Sequence, residues 1–192
     1  NYFIMFYAVM EGDTTGQKET RFAWSRDGFH WQRFYERSPF LPKGNEGSWD
    51  AGSVIIYSMV EQDDDLIFYY AGHHIGQHQY GISKNGIGIA FLRKDRFVEQ
   101  RAEDETGYIL TRELICQGKY LKLNTGFSSK PNRQQSIRVE ISRRPEIGKH
   151  ACFNYAFGGY GLEESMPISG DRMDAVCRWK TKDNLSELIG KP

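Results

Sequence analysis

Gly47-Ser48-Trp49-Asp50-Ala51-Gly52-Ser53-Val54-Ile55-Ile56-Tyr57 leads through an acidic turn into Leu66-Ile67-Phe68-Tyr69-Tyr70-Ala71-Gly72-His73-His74. Two apolar runs rich in β-branched and aromatic residues flank Gln62-Asp63-Asp64-Asp65. Runs of roughly four to eight such residues, bounded by polar turn residues, predict two strands of a hairpin. An antiparallel hairpin brings the chain back beside its starting point. Trp49-Asp50, before the first strand, and His73-His74, after the second, therefore fall at one end, and that end is the candidate polar site.

Downstream, Gly86 to Leu92 reads as a third strand, bulky on one face (Ile87, Ile89, Phe91) and small at the start of the other (Gly88, Ala90). Lys94-Asp95-Arg96-Phe97 is expected to turn into a short fourth strand. Upstream, Tyr2 to Val9 is a continuous apolar and aromatic run, the mark of a strand buried on both faces. Arg21 to Ser25 alternates, with Phe22 and Trp24 on one face. In Ser25-Arg26-Asp27-Gly28-Phe29-His30-Trp31 the Asp-Gly pair supplies a positive-φ hairpin turn, and a strand returns from Trp31 to Phe34. Ser38 to Ser48, with two Pro and two Gly, is a loop. The two halves repeat. Phe6-Tyr7-Ala8 matches Phe68-Tyr69-Tyr70, and Ala23 to Phe29 matches Ala90 to Phe97 with one residue inserted, an offset of about 62 to 68 residues. No helical period interrupts this region, so a four-stranded antiparallel unit in two copies is expected.

From about Glu103 the pattern changes. Thr106 to Thr111 and Tyr120 to Asn124 read as strands. Ser136-Ile137-Arg138-Val139-Glu140-Ile141 alternates apolar with polar or charged, as in one sheet of a sandwich. Ala175 to Trp179 is another strand, and Asp183 to Gly190 a short turn or single helical turn ended by glycine. The expected fold is all-β, with one domain over residues 1–104 and a second, sandwich-like one over 105–192.

Lys plus Arg and Asp plus Glu number 25 each, so no net charge draws the chain to a nucleic-acid backbone. No apolar run approaches the roughly 20 residues of a membrane helix. Cys116, Cys152 and Cys177 lack zinc spacing and fit either one disulfide with a free thiol or three thiols. The compartment stays open, secreted and periplasmic locations included. The chain opens with Asn1 on what reads as mid-strand and stops after a polar turn. The expectation is a piece of a longer protein, with the first copy incomplete and the sandwich cut short.

Ser25-Arg26-Asp27-Gly28-Phe29-His30-Trp31, the Trp49-Asp50 entry and Phe68-Tyr69-Tyr70-Ala71-Gly72 together resemble blades of the five-bladed β-propeller glycoside hydrolases, the group of invertase, levansucrase, arabinanase and β-xylosidase. The tail resembles the β-sandwich appended to bacterial members. That likeness rests on Gly107 to Arg112, Leu121 to Asn124, Ser136 to Glu140, Ile168 to Asp171, Trp179-Lys180 and Asp183 to Pro192. The resemblance implies the last blades of a five-bladed β-propeller followed by a β-sandwich domain. In such enzymes three carboxylates from the first three blades hydrolyse the glycosidic bond, so no catalytic residue is expected in this chain. The implied ligand is an oligo- or polysaccharide, with no cofactor. A non-catalytic carbohydrate-binding or assembly protein on the same scaffold is the alternative, because a scaffold does not fix a function.

Five residues are the candidates for sugar binding. Asp50 precedes an inner strand and is placed to hold hydroxyls or to act in acid/base work, or else caps a turn. Glu46 is a weaker version of the same idea. Trp49 is the best stacking surface for a sugar ring, whereas Trp24 and Trp31 fit a core or hairpin pair. His73 and His74 share a loop with His78 and suit sugar contact, with solvated imidazoles as the plain alternative. Gly76 argues against the helix that would make His74 and His78 a metal pair, so no metal site is expected. Asp63-Asp64-Asp65 lacks the calcium-loop pattern and reads as a solvated turn.

Overall fold

The structure, a computed structural model, describes residues 2–10, 12, 14–33, 37–102, 106–126, 135–143 and 155–191. It is all-β, and the described residues contain no α-helix. The chain divides into two compact units, Asn1–Phe97 and Val98–Pro192.

The first unit is a six-stranded mixed sheet. β1 (Phe3–Met10), β2 (Lys18–Ser25) and β3 (Trp31–Arg33) form one antiparallel meander. β4 (Ser53–Gln62), β5 (Asp65–His73) and β6 (Asn85–Arg93) form another. The two join through a single parallel pair, Lys18 with Ser53. Past that point hydroxyls replace the ladder. The buried Thr20 donates from Oγ1 to the Val54 carbonyl at 3.0 Å and accepts from the Ile56 N–H at 3.0 Å. Buried polar groups need such partners.

The turns follow the residues. Gly28 takes φ 79°, and Asp63 and Asp95, a type that tolerates the left-handed region, take 52° and 58°. Asp27 clamps its turn by accepting from the N–H groups of Phe29 and His30 at 2.9 and 2.8 Å, with His30 Nδ1 at 2.6 Å. The His30 backbone bond first, then its ring and the Phe29 N–H, hold the Asp27 carboxyl well below the usual range. β4 carries a bulge. Ile56 faces Tyr70 and Ser58 faces Tyr69, which leaves Tyr57 without an opposite number.

Lys94 to Phe97 corrects one expectation. It is turn and bend with no fourth strand. Phe97 instead folds into a cluster with Phe6, Phe22, Phe40 and Phe68. It stacks on Phe22 at 5.5 Å between centroids, and Phe6 meets Phe68 edge-on at 5.2 Å. Burying an aromatic side chain outweighs extending a four-residue strand at a sheet edge. The internal repeat is also narrower than its letters. With Phe6 set on Phe68, strand pairing sets Phe22 on Ala90. Ala23 and Ala90 then lie on opposite faces, because a one-residue slip reverses a strand. The letters of Arg26 to Phe29 still line up with Lys94 to Phe97, but Phe29 is 86 % exposed whereas Phe97 packs among the phenylalanines. The return strand ends at Arg33 as described, and Phe34 lies outside the described residues.

In the second unit β7 (Lys122–Thr125) pairs with β8 (Arg172–Val176). Ser136 to Ile141, expected as a regular strand, makes only one bridge, Ile137 to Ile168, and Thr106 to Thr111 forms no strand. The unit is held by a core of Tyr160, Ile168, Ala175, Cys177, Trp179, Leu185 and Leu188. Trp179 Nε1 donates to the Val139 carbonyl at 2.9 Å, and Tyr160 OH donates to the Asn184 carbonyl at 2.9 Å. The single turn at Ser186–Leu188 is 3-10, and Gly190 follows with φ 78°. Cys116 and Cys177 are free thiols, and burial pushes Cys177 up to about 11. Cys152 lies outside the described residues.

Candidate functional site

The β4–β5 register sets Ser53 opposite His73, and the Gly52 N–H donates to the His73 carbonyl at 2.8 Å. The residues just before β4 are thereby pinned beside those just after β5. Ser48 donates its N–H to the Asn45 carbonyl at 3.0 Å, and Ala51 donates to the Ser48 carbonyl at 3.3 Å, which coils this entry loop into a tight turn. Asp50 sits inside it. Its Oδ1 accepts from Ser48 Oγ at 2.7 Å and its Oδ2 from Tyr70 OH at 3.2 Å. Burial first, then the Asp50 charge and hydrogen bond, raise the Tyr70 phenol above its ordinary value. Tyr70 therefore stays protonated and donates.

Trp49 and Tyr70 lie nearly parallel, 5.7 Å between centroids at 19°. They rest on glycines. A Cβ on Gly72 would fall 2.3 Å from Trp49 Cζ3, one on Gly86 3.0 Å from Cε3, and one on Gly88 2.1 Å from Tyr70 Cζ. Gly72 and Gly86 are cross-strand partners, as are Tyr70 and Gly88. Missing side chains on β5 and β6 thus make a flat bed that two rings cover, a known use of glycine in sheets. Both rings remain partly exposed.

The histidines separate. His74 Nδ1 is 2.7 Å from the Ser48 carbonyl oxygen. A carbonyl only accepts, so Nδ1 carries the hydrogen. His73 Nδ1 is 2.9 Å from Asn85 Oδ1, which Ser83 Oγ also approaches at 2.5 Å. His78 belongs elsewhere. Its N–H donates to the Thr15 carbonyl at 3.0 Å and its ring lies against Gly16. Glu46 is exposed on the entry loop and stands outside this hydrogen-bonded group. Among the described residues no three His, Cys, Asp or Glu side chains converge, and no helix is long and apolar enough to cross a membrane.

The structure therefore brings Asp50, Trp49 and His74 together, with His73 at the same end of the hairpin. Sequence reasoning noted the small Gly88 but missed Tyr70 and the part that Gly72 and Gly86 play under Trp49. The signal was present as the small face of β6, which had to be covered by something large and flat. No family model, no curated protein and no solved structure matches this chain.

Proposed function

We propose that this chain is carbohydrate-active and that it holds sugar at the Trp49–Tyr70 surface beside Asp50. The observation that carries this reading is the pair of near-parallel rings on a glycine bed with a carboxylate at their rim. A sugar ring has an apolar face that stacks on an aromatic and hydroxyls that need polar partners. A site with few, well-placed polar groups beside aromatics meets both needs. Asp50 accepts one protein hydrogen bond on each oxygen, which holds the carboxyl in place and leaves it further acceptor sites for ligand hydroxyls.

The wider setting we propose is a glycoside hydrolase. The two meanders would be propeller blades, the second unit an appended sandwich, and the hydrolytic carboxylates would come from other blades. The engagement of Asp50 also favours a second reading, a carbohydrate-binding protein without catalysis on the same scaffold.

The test is calorimetric titration of the chain with xylo-, arabino- and fructo-oligosaccharides. At least one should bind, and Trp49→Ala should weaken that binding about tenfold, ~1.4 kcal/mol. Failure of all three to bind, or binding indifferent to Trp49→Ala, would overturn the proposal.

A further inference from the structure

We infer that His74 Nε2 is a second hydroxyl acceptor of this site beside Asp50, a specificity-determining group that selects ligands with a free hydroxyl next to the stacked sugar face. The inference rests on the sugar-binding reading above. His74 Nδ1–H is committed to the Ser48 carbonyl, which fixes the tautomer of the neutral ring and leaves a bare lone pair on Nε2. That nitrogen has no hydrogen-bond partner among the described residues. No buried side-chain nitrogen or oxygen among the described residues lacks a partner, so Nε2 must reach solvent.

Its place is fixed from two sides. Ser48, which holds the ring by its carbonyl, holds Asp50 by its hydroxyl and precedes Trp49 in the chain. The His74 N–H also donates to the Lys84 carbonyl at 3.0 Å, which anchors the backbone behind the ring. His73 is excluded from the role by parity. Successive strand residues point to opposite faces. Gly72 lies under Trp49, so His73 points to the other face, where it meets Asn85, its cross-strand partner. Of the neighbouring groups, Tyr70 and Ser48 donate to Asp50, and Asp50 accepts from both. His74 Nε2 is the ring-nitrogen acceptor of this group, and no donor among the described residues occupies it.

Two substitutions separate holding the loop from meeting the ligand. Asn at position 74 places a donor near the Nδ1 position and nothing at Nε2. Gln extends a polar group to the Nε2 position. The probe is whichever of xylotetraose, arabinotetraose and a levan-derived tetrasaccharide the parent chain binds. His74→Asn should weaken it about tenfold with an unchanged melting temperature, and His74→Gln should recover most of the loss. The 15N resonance of the unprotonated Nε2 in the parent chain should move on addition of the same sugar, a readout that loop holding alone would not give. Undiminished affinity in His74→Asn, or a static Nε2 resonance on saturation, overturns the role of His74 while leaving the Trp49–Tyr70 surface intact. If none of the three sugars binds the parent chain, the sugar-site reading falls and takes this inference with it.

Discussion

The β1–β6 sheet and the unit around Trp179 use the same residue types to opposite ends. The sheet is almost all ladder: long antiparallel pairs, a Phe cluster joining two meanders, and large apolar side chains left open to water. Ile87 is 82 % exposed and Phe91 69 %. The second unit has one short pair and scattered bridges, yet among the described residues most of the buried apolar side chains belong to it. Regular backbone pairing and a buried core are separate properties. Hydrogen-bond ladders fix register, and apolar burial supplies most of the free energy.

That contrast sets the order of mutational effects. The largest belongs to Trp179→Ala. It empties the centre of the second core, removes the edge-on contact with Tyr160 at 5.0 Å and strips the Val139 carbonyl of its donor. A loss of about 3–5 kcal/mol is expected by urea denaturation. A loss below about 1 kcal/mol would mean that the core does not hold the unit. Next comes Gly88→Ala, where the new methyl must displace Tyr70. About 1–3 kcal/mol should be lost, with near-ultraviolet circular dichroism reporting a moved ring, and a neutral result would show that the glycine bed is not needed. The smallest effect is expected at Ile89→Lys on the open face of β6. Stability should stay within about 0.5 kcal/mol, and light scattering at high concentration should fall, since charge on an edge strand discourages edge-to-edge pairing. A large destabilisation there would mean that the open face is covered in solution.

Much of the sheet was legible in the sequence because short-range chemistry dictates it. Asp27-Gly28 forces a turn, the acidic residues 63–65 force another, and the apolar runs between them can only be strands. The gathering of Trp49, Asp50, His73 and His74 followed from antiparallel geometry alone. Other features depend on partners distant in the chain. The alternation in Ser136 to Ile141 reveals a buried side, with Val139 and Ile141 packed on the core, but not whether another backbone lies alongside to bond with it. Phe97 left its expected strand for three phenylalanines spread from position 6 to position 40. Tyr70 looked like one more strand aromatic, because its hydroxyl acquires a purpose only from Asp50, which stands outside the strand on the entry loop.

The bulge at Tyr57 gives β4 something like a reading frame. Before it, Val54 and Ile56 share a face with Gly72 and Tyr70. After it the parity reverses, and Ser58 sits with Tyr69 and Met59 with Phe68. Deleting Tyr57 would make Ile56 and Ser58 neighbours opposite Tyr70 and Tyr69, so residues 53–56 would keep their register on β5 and only the local bend and extra twist would be lost. Val54 would still face Gly72, and Gly52 would keep the His73 carbonyl. Tyr57 is 74 % exposed, so its side chain is free to vary. Its loss would leave the pairing intact as well, so a one-residue deletion here should be tolerated among relatives much as substitutions are.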